Sequence, residues 1–191
     1  EALGRKILIK HDAKLSAYAE WHCAEEIKGI DRGSLAIVRS RGYGIGCGFV
    51  VNGNIVNGHL GLAGEAGYMG INFNRHKKGE EGRGTLEYSA GVESVVRYMK
   101  ERLYEFPESP LNENSNYMDV FEAYKHGDEL ADWAVSKVAW MLGYGIANII
   151  YIINPDCIII GPDYPDTEDF INKIRSAVRN FVPEFVERNA I

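Results

Sequence analysis

Apolar residues recur at steps of three and four at Ala13, Ala17, Trp21, Ala24 and Ile27. This spacing predicts a helix over residues 13 to 28, behind a short strand at 5 to 10 and a polar His11-Asp12 joint. Leu35 to Val38 is aliphatic and β-branched. It is followed by Phe49-Val50-Val51, an Asn52-Gly53 turn, Ile55-Val56 and a second Asn57-Gly58. Asn-Gly between apolar runs is a hairpin signal, so two or three antiparallel strands are expected. Past a polar loop from Arg75 to Gly84, a helix capped by Ser89 would carry Val92, Val95, Val96, Met99 and Leu103 on one face. Pro107 to Asn116 reads as a loop, and short helices are expected near 118 to 126. A long helix from 128 to about 151 is apolar at Ala131, Val135, Val138, Leu142, Ile146 and Ile149. Cys157 to Ile160 is a buried strand ending at Gly161-Pro162, and a last amphipathic helix over 167 to 182 runs through Phe170, Ile174, Val178 and Phe181. Strands first, then helices around one further strand, make an α/β domain: a mixed sheet with flanking helices.

Composition narrows the class. With 191 residues, 46% of them apolar, the chain can bury a core without staples. Three cysteines, Cys23, Cys47 and Cys157, with no C-x-x-C pair, suggest neither a disulfide framework nor a zinc knuckle and fit a reducing cytoplasm. The formal charge of −6 comes without any sustained basic stripe, so a direct grip on DNA or an anionic membrane is not expected of this chain. No secretory signal is visible, and the uncharged run from Val138 to Pro155 contains Gly143, Gly145 and Asn148, which favours a buried core helix over a membrane span. The abrupt opening on a strand suggests a piece of a longer protein.

Ten of the 21 glycines fall between Gly42 and Gly70, a density that means tight turns or close approach to a ligand. Asp12 ends a strand and precedes a helix, where ligand-contacting carboxylates sit in α/β sheets, although it could equally cap the helix beginning at Ala13. Glu65, between small residues in Ala63-Gly64-Glu65-Ala66-Gly67, and Glu87, at the start of a helix, are further loop carboxylates. Three ionised acceptors on loops suit a polyol, because charged acceptors bind hydroxyl donors more strongly than neutral ones. Neither the dinucleotide fingerprint nor a P-loop is present, and the five histidines show no metal-ligand spacing.

Taken together, Lys10-His11-Asp12-Ala13, Gly42-Tyr-Gly-Ile-Gly-Cys-Gly48, Gly58-His-Leu-Gly-Leu-Ala-Gly-Glu65-Ala-Gly-Tyr68, Leu86-Glu87 and Asn154-Pro-Asp-Cys-Ile-Ile-Ile-Gly161 resemble the ROK family of repressors and sugar kinases, in order and spacing over nearly the whole chain. The resemblance implies an actin-like, ribonuclease-H-like fold, of which residues 1 to 191 would be a single C-terminal lobe for sugar binding and oligomerisation. The family's N-terminal lobe with its Asp-x-Gly-Gly-Thr, any winged-helix segment and a closing strand are expected to lie elsewhere. In the kinases, the residue matching Asp12 is the base that accepts the sugar hydroxyl's proton, and those matching Glu65 and Glu87 hold sugar hydroxyls. His11 and Tyr68 join them as expected ligand contacts, with Gly42, Gly44 and Gly46 as the phosphate-loop equivalent.

Departures from the kinase pattern weigh against ATP. Tyr43 places a phenol where the family has a small hydroxyl residue, Gly161-Pro162 replaces Gly-Gly and removes an N–H, and His11 replaces the usual Asn. His-Asp at this joint is similar to sugar-responsive repressors of the N-acetylglucosamine and glucose-regulator type, and the chain as a whole most resembles those of the N-acetylglucosamine and xylose repressor type. The family's zinc ligands correspond to Tyr68, Lys78, Glu80 and Thr85, none of them His or Cys, so no structural zinc or other cofactor is expected. The resemblance thus implies the sugar-effector-binding part of a transcriptional repressor of carbohydrate-utilisation genes. Its partners would be a monosaccharide or amino sugar and a second copy as a dimer, with DNA reached only through another domain and no membrane contact. The alternative is a fragment of an ATP-dependent, glucokinase-like sugar kinase using ATP and magnesium.

Overall fold

A computed structural model of the chain describes residues 11–23, 33–71 and 85–187. The expected strand at 5 to 10, the helical residues 24 to 28 and the polar loop with Lys78 and Glu80 lie outside the described residues.

Helix α1 (Asp12–Cys23) precedes three antiparallel strands, β1 (Leu35–Arg41), β2 (Gly44–Val51) and β3 (Asn54–Ile55). The turn between β2 and β3 is the expected Asn52-Gly53, with both residues at positive φ (49° and 77°), the geometry that matches strand twist in a two-residue hairpin. Later in the chain, β4 (Cys157–Ile160) joins the far edge in parallel with β1, pairing Leu35 with Cys157 and Val38 with Ile160. The sheet order is β3-β2-β1-β4.

The sheet's two faces are covered differently. Ala36 and Val38 face the large core, whereas Leu35 and Ile37, one residue out of phase, meet Val50 and Ala17 of α1. Against α1 the backbones come so close that a Cβ on Gly48 would lie 2.2 Å from the Ala13 carbonyl oxygen and 2.6 Å from the Ala17 methyl. Glycine at this position therefore sets the height of α1, and of Asp12 at its start, above the sheet.

The large core centres on α5 (Glu129–Ile153), packed by α2 (Leu86–Ala90), α3 (Ser94–Arg102), α4 (Tyr117–Lys125) and α6 (Glu168–Arg179). The Asp128 carboxylate accepts the Ala131 N–H at 2.8 Å to start α5, and Asn154 in a left-handed conformation ends it. By length and composition α5 could cross a membrane, but Val135, Val138, Leu142, Ile146 and Ile149 are buried in the core of this fold.

Three expectations need correction. Ser89 caps no helix: Thr85 caps α2, its Oγ1 accepting the Tyr88 N–H, and α3 starts afresh at Ser94. The break falls at Gly91, which is extended (ψ 151°) because the Val92 N–H is drawn to Ser40 Oγ at 2.9 Å and the Tyr43 carbonyl leaves no room for a side chain. The last predicted helix stops at Arg179, and a separate turn α7 (Pro183–Glu187) follows, since Pro183 disfavours helix in the residue before it. Asp12 is the first residue of α1 and not a cap on a helix beginning at Ala13; among the described residues its carboxylate accepts the adjacent Ala13 N–H, at 2.8 Å, and no N–H deeper in the helix.

Candidate functional site

One cavity of about 220 Å³ opens where the N-terminus of α1, the ends of β1 and β2, the glycine-rich loop and the start of α2 converge. Its lining includes His11, Asp12, Glu65, Tyr68, Glu87, Gly44 and Gly46, all residues singled out in the sequence. Gly42 is not among them: it lies in the β1–β2 turn with φ 57°. Tyr43, at the tip of that turn, is 79% exposed.

Two backbone pairings bring the carboxylates together. The Cys47 N–H donates to the Gly64 carbonyl at 2.9 Å, fastening the loop before Glu65 to β2. The Leu86 N–H donates to the Met69 carbonyl at 2.9 Å and Gly70 bridges Thr85, which sets Glu87 beside the turn Ala66–Tyr68. Gly67 is indispensable here, because a Cβ would come within 2.3 Å of the Ile45 carbonyl oxygen and 2.9 Å of Glu87 Oε2.

Electrostatically the lining combines carboxylates with cations, and the His11 imidazole stands between two of the carboxylates. His11 Nε2 is 3.3 Å from Glu65 Oε1, and Nδ1 is 3.6 Å from Asp12 Oδ1. The Asp12 side chain is 68% exposed, free to meet a ligand, while Glu65 is half as exposed at 33%. Behind Glu65, burial and then the Glu65 charge push the Cys47 thiol up to about 12. Cys47 is therefore protonated and a poor nucleophile.

Four lining residues escaped the sequence reading: Arg39, Ser40, Arg41 and Asp163. Arg39 Nε lies 3.4 Å from Asp163 Oδ2, and its Nη1 donates to Ser16 Oγ at 3.0 Å, tying β1 to α1 and to the loop after β4. A signal was available in β1, where the apolar alternation Leu35, Ile37 continues as Arg39, Arg41 on the same face, so cations replace core residues at the strand's end.

A zinc ion of the kind the resemblance brings to mind does not fit the described residues. Tyr68 and Thr85 carry neither thiolate nor imidazole, Thr85 is occupied in capping α2, and no group of His, Cys, Asp and Glu is placed to hold a metal among the described residues. The arrangement suits neutral hydroxyl donors, with Asp12, Glu65 and Glu87 accepting and Asp12 also able to take a proton.

Comparison with known proteins gives consistent kinships. A family model described as the ROK family matches residues 1–191. The glucokinase of Halalkalibacterium halodurans is 32% identical over 164 residues, 81% of this chain and 48% of its own length. The xylose repressor of Caldicellulosiruptor bescii is 29% identical over 157 residues, 78% of this chain and 39% of its own length. The chain therefore spans about half the length, or less, of these curated relatives. A ROK family glucokinase from Streptomyces griseus, in complex with glucose and AMPPNP, has the same fold at a TM-score of 0.79 and 23% identity, over 95% of this chain and 60% of its own. The architecture is the actin-like one of these kinases, with a mixed sheet and flanking helices.

Proposed function

The chain belongs to the ROK family, and from that premise we propose that it is the sugar-effector-binding lobe of a transcriptional regulator of carbohydrate use. The observation that carries the sugar reading is the convergence of Asp12, Glu65 and Glu87 with His11 on one small cavity. Fixed carboxylates around a cavity of monosaccharide scale favour hydroxyl donors, and each charge-assisted bond contributes about 1.5–3 kcal/mol. Three features favour a regulator over a kinase. Tyr43 projects a phenol from the turn before Gly44, Pro162 removes an N–H after β4, and the Arg39–Asp163 pair, its aspartate next in sequence to Pro162, already lines the cavity. Sugar binding would then bias two conformations of the whole protein and the pose of a DNA-reading segment outside these residues, in a dimer.

The second reading is an ATP-dependent sugar kinase. It is favoured by the exposed Asp12 carboxylate, suited to accept a hydroxyl proton, and by a glucokinase among the relatives at an identity comparable to that of the repressor. Both readings dispense with zinc, and metal analysis of protein purified without chelator would contradict that by finding one zinc per chain.

Calorimetric titration of the natural polypeptide with glucose, xylose, N-acetylglucosamine and MgATP, followed by a coupled assay of ADP release, separates the two. Sugar binding without ATP binding or turnover is the expected result. Sugar-dependent ADP release abolished by Asp12→Asn would establish the kinase instead.

A further inference from the structure

Lys14 is a buried side chain with a single polar anchor among the described residues. It sits in the first turn of α1, two residues after Asp12, with only 4% of its surface exposed. Among the described residues its ammonium has one hydrogen-bond acceptor, the Gly61 carbonyl, to which Nζ donates at 2.5 Å. It does not line the sugar cavity. Its stem passes under the loop, with Cε 3.8 Å from where a Cβ on Gly64 would be.

As a device for stability this placement is poor. Taking an ammonium out of water is costly, and one carbonyl satisfies only one of its three donors. Its position compounds the cost, since the positive end of the α1 dipole repels a cation in the first turn.

What the contact does accomplish is a link between two ligand-bearing segments. The loop it reaches passes through Gly58, Gly61 and Gly64, all at positive φ (71°, 76° and 95°), and exposes Leu60 and Leu62, so its own side chains do not anchor it. Backbone bonds hold its ends, Ala63 N–H to the Asn57 carbonyl and Cys47 N–H to the Gly64 carbonyl. Between them, Lys14 is the one side-chain tether from elsewhere in the fold among the described residues. Asp12 is on the same helical turn as Lys14, and Glu65 directly follows the tethered loop.

We infer that Lys14 is a positioning residue that sets the separation of Asp12 and His11 from Glu65, and hence which hydroxyl pattern the cavity accepts. The inference rests on the sugar-binding reading above. Lys14 touches no ligand; it acts through the Gly61 carbonyl.

The test is Lys14→Met, which keeps the stem and removes the ammonium, made in the natural polypeptide. Three quantities are read: melting temperature, amide exchange over residues 58–65, and affinity for whichever of glucose, xylose and N-acetylglucosamine binds the unaltered protein best. The expected result has opposite signs: a melting temperature equal or higher, faster exchange in the loop, and affinity at least tenfold weaker. A residue needed only for the fold would lose stability and affinity together. Should Lys14→Met not fold, Lys14→Gln is read by the same criteria, and failure of both to fold overturns the inference, as does affinity within twofold of the unaltered protein. If Glu65→Gln weakens binding and Lys14→Met does not, only this inference falls. If none of the sugars binds the unaltered protein, the sugar-binding reading falls with it.

Discussion

His11 Nε2 stands 3.3 Å from Glu65 Oε1, across the junction of α1 and the glycine-rich loop, while its Nδ1 faces Asp12 at 3.6 Å. One ring thus spans two acceptors contributed by segments 53 positions apart, 65 minus 12. Glycine in β2 leaves the ring its room: a Cβ on Gly46 would lie 3.4 Å from His11 Cε1.

Removing that ring should uncouple the two carboxylates. His11→Phe is expected to weaken sugar binding about tenfold, the order of one lost hydrogen bond to a charged group. In a double-mutant cycle with Glu65→Gln the two losses should be less than additive, because each variant breaks the same contact. Calorimetry on the four proteins checks this, and strict additivity would show that His11 and Glu65 act separately.

Gly67→Ala should damage the site with a single methyl. The added carbon meets the Ile45 carbonyl oxygen at 2.3 Å and Glu87 Oε2 at 2.9 Å. Overpacking of this kind costs about 1–3 kcal/mol. Thermal unfolding should register that loss, and sugar affinity should fall beyond it because the Glu87 carboxylate is displaced.

Thiol chemistry offers a readout of burial. Cys47 is fully buried and its thiol is pushed up to about 12, by desolvation first and the Glu65 charge second, so it stays protonated at any working pH. Cys23 is exposed. Under native conditions at pH 8 an aromatic disulfide reagent should label Cys23 and spare Cys47, with peptide mapping identifying the modified sites. Labelling of Cys47 at the rate of Cys23 would mean that the loop before Glu65 opens freely.

Acid should weaken a second cluster, outside the cavity lining. The Tyr124 hydroxyl donates to Asp169 Oδ2, and Lys173 lies 3.3 Å from the same oxygen, joining α4 to α6. The Tyr124 bond first, and the Lys173 charge after it, hold the Asp169 carboxyl below its ordinary range. A depressed folded value means that the contribution to stability is present above the unfolded value, about 3.9, and disappears as pH falls through the folded one. Asp169→Asn should therefore lower the melting temperature at pH 7 by about 1–4 °C, as suits a carboxylate that is itself largely exposed. The gap should begin to close as pH falls below about 5 and vanish at still lower pH. A gap that persisted unchanged to pH 2 would contradict the assignment.

Much of this organisation is local and therefore legible in residue order. The Asn52-Gly53 turn, the apolar spacing of α5 and the β-branched run of β4 each express preferences of a few neighbouring residues. So do the carboxylates on glycine-rich loops, because a ligand's approach demands small neighbours in the chain itself. Small neighbours marked Glu65, while the grouping of Asp12, Glu65 and Glu87 in one sugar site came from the resemblance of their motifs, in order and spacing, to the ROK family.

Tertiary structure alone decided the rest. The helix expected from Ser89 onward divides at Gly91 because Ser40, 52 positions away, captures the Val92 N–H. Arg39 enters the cavity wall through its pairing with Asp163, 124 positions on. Lys14 belongs to the helical pattern of α1 by sequence, yet it is buried under a loop whose path only the folded chain defines. Such contacts depend on which surfaces meet after the sheet and α5 pack, and hydrogen bonds form only within a few ångströms. Separation along the chain carries no record of them.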